Sequence, residues 1–213
     1  MNYAVLDKGE SLAQNVDRLL FSEDGELRNE FHNLYHALFR NSEKYIAIVE
    51  ILAQKKKGIT RNTLIKELSV ESSGGVSKAL DDLENCGFIR RCSPFGKKTK
   101  DELIQLVDFY TLFYFRFLAK RAKGRRNQWL QIQGKPEYNS WCGYAFEMLC
   151  LQHYPQILNA LGISGSYKGS LRDKVKLVLI YGCVDETCHG VLTFLVKNGI
   201  LLKLDGFDGL QPD

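Results

Sequence analysis

Apolar positions in the first forty residues recur at helical spacing. Ser11 stands where it can cap a helix over LAQNVDRLLF, and ELRNEFHNLYHALFR repeats Leu27, Phe31, Leu34, Tyr35 and Leu38 three and four residues apart. Asn41-Ser42 then opens an amphipathic stretch, EKYIAIVEILAQKKK. Ile46, Val49, Ile51 and Leu52 are its expected inner face and Gly58 its stop. Thr60 caps the short segment RNTLIKEL, and Val70-Glu71-Ser72-Ser73 turns into GGVSKALDDLENCG, closed by Gly87. Phe88-Ile89 and Leu103-Ile104-Leu106 supply the apolar sides of two strands joined through Pro94, Phe95 and Gly96.

Three helices with tight turns and a following hairpin are the order of a winged helix-turn-helix. The predicted fold class is mainly α (α+β): such a domain over residues 41–108, flanked by helices, with a small β-containing C-terminal segment. Residues 1–40 form a helical, lid-like segment. Residues 109–165 are a helical region that opens on DFYTLFYFRFLAKRAKGRRNQWL. Its aromatics Phe109, Tyr110, Phe113, Tyr114, Phe115 and Phe117 surround the helix, which predicts burial between domains rather than a base-stacking platform. A long helix, EYNSWCGYAFEMLCLQHYPQILNALGI, follows with Tyr144, Phe146, Met148, Leu149 and Leu151 on or near its buried side. Residues 166–213 read as a divergent β-rich tail, VKLVLIYGCV and GVLTFLVKNGILLKL, with Asn198-Gly199 as a hairpin turn.

Charge sharpens this picture. The 213 residues hold 29 Lys+Arg against 25 Asp+Glu, and a net charge of +4 alone argues for no particular partner. Residues 88–126, however, hold eleven cations (Arg90, Arg91, Lys97, Lys98, Lys100, Arg116, Lys120, Arg121, Lys123, Arg125, Arg126) against Asp101, Glu102 and Asp108, a local excess of +8. Backbone phosphates favour such a patch through counterion release. The expected DNA contacts are Ser73, Ser77 and Lys78 at the start of the third helix, Arg90, Arg91, Lys97, Lys98 and Lys100 on the hairpin, and Arg125 and Arg126 beyond it. Asp81, Asp82 and Glu84 acidify the second half of that helix, and no Arg, Asn or Gln stands where bidentate base readout comes from. The expected binding to duplex DNA is therefore weakly sequence-specific. A protein-interaction or self-association role for the same domain stays open beside it.

Catalytic chemistry is hard to find in the residues. Gly96-Lys97 and Gly134-Lys135 lack the upstream glycine and following Ser/Thr of a Walker loop, and there is no G-x-S-x-G elbow. His32 and His36 have the i, i+4 spacing of a zinc pair, without the adjacent Glu or a third ligand. Cys183, Cys188 and His189 have no second ligand cluster, and His153 no visible partner. No metal, no cofactor and no catalytic residue is expected. Six cysteines without a CxxC pair predict reduced thiols. With no apolar run of signal-peptide or membrane-spanning length, the expectation is a cytoplasmic protein without a membrane partner.

The stretches LDKGESLAQNVDRLLFSEDGELRNEF, LYHALFRNSEKYIAIVEILAQKKKGITR, SSGGVSKALDDLENCGFIRRCSPFGKKTKDELIQLVDFYTLFYFRFL and YNSWCGYAFEMLCLQHYPQILNALGIS together resemble the C-terminal half of a prokaryotic, archaeal-type AAA (STAND-like) ATPase family. CGFIRR…PFGKK and GYAFEMLCLQH carry most of the likeness, which covers about residues 5–165. The resemblance implies a lid, a winged helix and the first helix of a PD-(D/E)XK nuclease-like domain, with the ATP-binding P-loop core lying outside this chain. It also implies an ATPase subunit as partner. Glu147 matches the helix acid of that nuclease, but no Asp followed by Glu-x-Lys comes after it; Asp185-Glu186 leads into Thr-Cys-His. One carboxylate does not hold a catalytic metal. The expectation is a non-catalytic accessory chain whose tail is a truncated, frame-altered or divergent remnant.

Overall fold

A computed structural model describes residues 6–69, 73–92, 102–119, 127–153, 155 and 156 of the chain. In chain order its helices are α1 (Leu12–Val16), α2 (Glu30–Leu38), α3 (Ser42–Ala53), α4 (Arg61–Leu68), α5 (Ser73–Asn85), α6 (Phe109–Phe113), α7 (Gln128–Ile132) and α8 (Pro136–Gln152). Its strands are β1 (Ile59–Thr60), β2 (Ile89–Cys92) and β3 (Leu103–Leu106), and π-helical turns cover Asp17–Phe21 and Tyr114–Leu118. The described residues are mainly helical with a small three-stranded antiparallel sheet, as the apolar periodicities predicted. Two compact units divide the chain: Asp17–Gln128, and Met1–Val16 together with Trp129–Asp213.

Local chemistry explains the elements of the first unit. Thr60 sits in extended backbone and its side chain accepts the Thr63 N–H, which starts α4; Ser69, in the left-handed region, ends it. In α5, Val76, Ala79, Leu80 and Leu83 lie at i, i+3, i+4 and i+7, and all four are buried. Gly87, at φ +77°, turns the chain from α5 into β2. The sheet order is β1-β3-β2, with Ile89 opposite Leu106, Cys92 opposite Leu103 and Ile59 opposite Ile104. Ile104 and Leu106 alternate inward from β3, the two-residue period of a half-buried strand. Gly58 is required where β1 begins: its φ is +77°, and a Cβ there would lie 2.7 Å from the Ile104 carbonyl oxygen.

One expectation about a helix face needs correcting. The inner face of α3 is Ile48, Val49 and Leu52, with Ile46 and Ile51 only half-buried. Almost every position from 45 to 49 is apolar or alanine, so periodicity alone could not choose the face; the packing of α4, α5 and the sheet chose it. On α8 the buried side chains are Met148 and Cys150, while Tyr144, Phe146, Leu149 and Leu151 are half-buried. In addition, Asn41 makes no side-chain cap at α3; the neighbouring Ser42 hydroxyl bonds His36 Nδ1 at 2.7 Å instead.

Aromatic side chains join the segments before and after the sheet-bearing core. Phe31 stacks on Tyr114 with centroids 3.8 Å apart and planes within 3°. Tyr35 packs against Phe88 at 5.0 Å, and Phe39 stacks on Tyr45 at 4.0 Å. The Tyr35 hydroxyl meets Thr111 Oγ1 at 3.1 Å, both side chains fully buried, and Tyr110 Oη donates to the Leu27 carbonyl at 3.4 Å. Residues on α2, α6 and the Tyr114–Leu118 turn thus share one core with α3 and β2, and the aromatic helix lies inside this unit. In the second unit Ser11 and Gln14 form a reciprocal capping box: the Ser11 N–H donates to Gln14 Oε1 at 2.8 Å and the Gln14 N–H to Ser11 Oγ at 3.3 Å. Trp129 meets Tyr138 edge-on at 5.5 Å.

The expected hairpin tip (93–101), basic linker (120–126) and β-rich tail (166–213) lie outside the described residues. Among the described residues no helix is long and apolar enough to cross a membrane.

Candidate nucleic-acid interface

Of the residues expected to meet DNA, Ser73, Ser77 and Lys78 lie on α5 and Arg90 and Arg91 on β2; Lys97, Lys98, Lys100, Arg125 and Arg126 fall outside the described residues. Helix α5 has three sides. Val76, Ala79, Leu80 and Leu83 face the core, and the opposite strip carries Gly74, Lys78 and Asp81, all exposed. On one flank stands α3, where Tyr45 Oη donates to Asp82 Oδ2 at 2.6 Å. On the other stands α4, where Arg61 donates to Ser77 Oγ from Nε at 3.1 Å and from Nη2 at 2.8 Å.

The acids of α5 are engaged inside the unit. Arg91 Nη2 bonds Asp81 Oδ1 at 2.6 Å, Arg91 Nη1 lies 3.4 Å from Glu84 Oε2, and the Arg91 N–H donates to Glu84 Oε1 at 3.2 Å. Burial would lower the Arg91 pKa, but the bond to Asp81 and the charges of Glu84, Asp81 and Glu102 raise it above its ordinary value. The Asp82 hydrogen bond, with burial second, pushes the Tyr45 hydroxyl up to about 12. Arg91, expected to face phosphate, therefore ties β2 to α5. Its strand neighbour Arg90 is bidentate on Gln105 Oε1, at 2.8 Å and 3.1 Å across the β2–β3 ladder, and Gln105 Nε2 donates to the Lys56 carbonyl at 2.7 Å. Both arginines are held by the protein's own groups, while Lys78 stands exposed.

Two cations unforeseen in the sequence stand beside α5. One is Arg61, already placed on Ser77. The other is Lys44 of α3, so close to α5 that a Cβ built on Gly75 would lie 2.5 Å from Lys44 Nζ. Neither residue sits in a motif; only the packing of α3 and α4 against α5 brings them to the same helix as Lys78.

The possible metal and catalytic residues are dispersed. His32 Nε2 lies 3.1 Å from Tyr114 Oη, and His36 is held on Ser42. Glu147 is exposed on α8, and the later carboxylates that the nuclease resemblance would require fall outside the described residues. Among the described residues Cys86, Cys92 and Cys142 are free thiols. Among the described residues no group of three His, Cys, Asp or Glu side chains could hold a metal ion. Comparison with protein-family models, with curated proteins and with solved structures gives no match for this chain.

Proposed function

We propose that residues 41–108 are a winged helix-turn-helix domain that binds the backbone of duplex DNA, within a non-catalytic accessory chain related to AAA-type ATPases. The observation that carries this reading is the sheet order β1-β3-β2, with β1 between α3 and α4 and the β2–β3 hairpin directly after α5. Asp81, Asp82 and Glu84 oppose a phosphate backbone; Arg91 offsets one of their three charges, and the neutral Tyr45 hydroxyl holds Asp82 by a hydrogen bond. The contact set narrows to Lys78 with its neighbours Ser73 and Ser77, and to Lys97, Lys98, Lys100, Arg125 and Arg126 in the segment of +8 excess. Self-association through the aromatic helix has less to recommend it, since Phe117 and the Phe31–Tyr114 stack lie in the unit's own core.

The test is fluorescence anisotropy with a labelled duplex at low salt. The unaltered protein should bind, with log K falling linearly as log salt rises. Changing Lys97, Lys98 and Lys100 together to Glu should weaken binding at least tenfold. An unchanged affinity, or no binding by the unaltered protein, overturns the reading.

A further inference from the structure

Arg91 sits where α5 meets β2, held by two acids that stand at different depths. Glu84 is the inner one. It accepts the Arg91 main-chain N–H at 3.2 Å and lies 3.4 Å from Nη1, and its side chain is 38% exposed. Asp81, three residues earlier in α5, is the outer one: it bonds Nη2 at 2.6 Å and is 58% exposed. Glu102, just before β3, adds its charge to the same neighbourhood. The Arg91 side chain is itself 26% exposed, so the pair with Asp81 lies at the surface. Asp81 shares the exposed strip of α5 with Lys78, about 4.5 Å away along the helix axis. A phosphate backbone that reaches Lys78 therefore meets, next along the strip, a carboxylate already seated on an arginine.

We propose that Asp81 is an internal substitute for a backbone phosphate: in the free domain its carboxylate occupies Nη2 of Arg91, and a duplex seated beside Lys78 displaces it and takes Arg91 as a further contact. This rests on the duplex-binding reading above and adds to it a restraint built into the same site. Three features make the exchange feasible. An exposed ion pair is held weakly, because water screens it. Asp81, already more than half in solvent, is not left buried and unpaired when it lets go. Glu84, which bonds the strand backbone at Arg91 and faces Nη1, keeps the guanidinium in place while Nη2 changes partner. A guanidinium donates to phosphate oxygens as readily as to a carboxylate, and the phosphate also releases its condensed counterions. Asp81 thus lowers affinity for any duplex alike.

The experiment uses the full chain and a labelled duplex titrated over a salt series. Asp81→Ala removes the occupant at an exposed helix position where alanine favours the helix, so the domain should keep its circular dichroism spectrum. It should raise affinity about fivefold at low salt, the worth of an exposed ion pair. The slope of log K against log salt should steepen by about 0.9, one added phosphate contact. Glu50→Gln is the control, since it removes the same charge from an exposed acid of α3; its gain should be smaller and its slope close to that of the unaltered protein. In an Arg91→Gln background the gain from Asp81→Ala should shrink to that of Glu50→Gln. The comparison of Asp81→Ala with Glu50→Gln stands even if Arg91→Gln fails to fold. If the hairpin charge reversal weakens binding while Asp81→Ala matches Glu50→Gln in affinity and slope, the substitute role is refuted and duplex binding stands. A gain from Asp81→Ala that persists without Arg91 refutes it equally, as a general effect of charge. If neither the unaltered protein nor Asp81→Ala binds duplex, both readings fall.

Discussion

The contact between Tyr35 and Thr111 joins α2 to α6, and its energetics can be isolated by substitution. Both side chains are fully buried and their hydroxyls are 3.1 Å apart. Burial holds the Tyr35 pKa well above its ordinary value, so this is a bond between two neutral groups. Tyr35→Phe keeps the ring against Phe31 and Phe88 but strands the Thr111 hydroxyl, at a cost of about 1–3 kcal/mol. Thr111→Val, close in shape, strands the tyrosine hydroxyl instead at a similar cost. The double variant leaves neither group stranded, so it should be destabilised by no more than either single change, a coupling of about 1–3 kcal/mol. With an m-value of about 2 kcal/mol/M, a loss of 2 kcal/mol lowers the urea midpoint by about 1 M, well within what circular dichroism resolves. Strict additivity of the two single changes would refute the claim that these hydroxyls satisfy each other.

Two further predictions concern backbone and pH. Gly58→Ala combines a left-handed φ of +77° with a Cβ 2.7 Å from the Ile104 carbonyl, whereas Gly87→Ala has the same φ of +77° and open space. Gly87→Ala should cost about 1–2 kcal/mol and Gly58→Ala clearly more; equal losses in urea denaturation would show that β1 does not approach β3 so closely. The bond from Tyr45 to Asp82 raises the tyrosine pKa to about 12 from about 10. Because the folded value is the higher one, the stabilisation is complete below about pH 10 and disappears as pH rises through about 12. The stability difference between the unaltered protein and Tyr45→Phe should shrink over that window, and a difference constant to pH 12 would contradict the assignment.

Elements with their own stop and start chemistry were legible in the chain. Thr60 caps α4 and Gly87 closes α5 where expected, and the β2–β3 pair falls on the apolar runs at 88–89 and 103–106. Less was legible where the signal was redundant or short. The run from Tyr45 to Val49 admits more than one inner face, and β1, two residues long, has no periodicity to detect. At the candidate interface the cationic excess of residues 88–126 could be counted, but not which cations were already engaged.

Local propensity, capping and apolar period are properties of neighbouring residues, so the amino-acid sequence by itself determined the helical class, the order of the elements and the concentration of positive charge. Tertiary packing decided the rest. It withdrew Arg91 onto Asp81 and Glu84, added β1 to the hairpin, and drew Lys44 and Arg61 to the flanks of α5. The physical reason is range: a cap or a turn acts over a few residues, whereas ion pairing and strand pairing join residues that only the folded chain brings together.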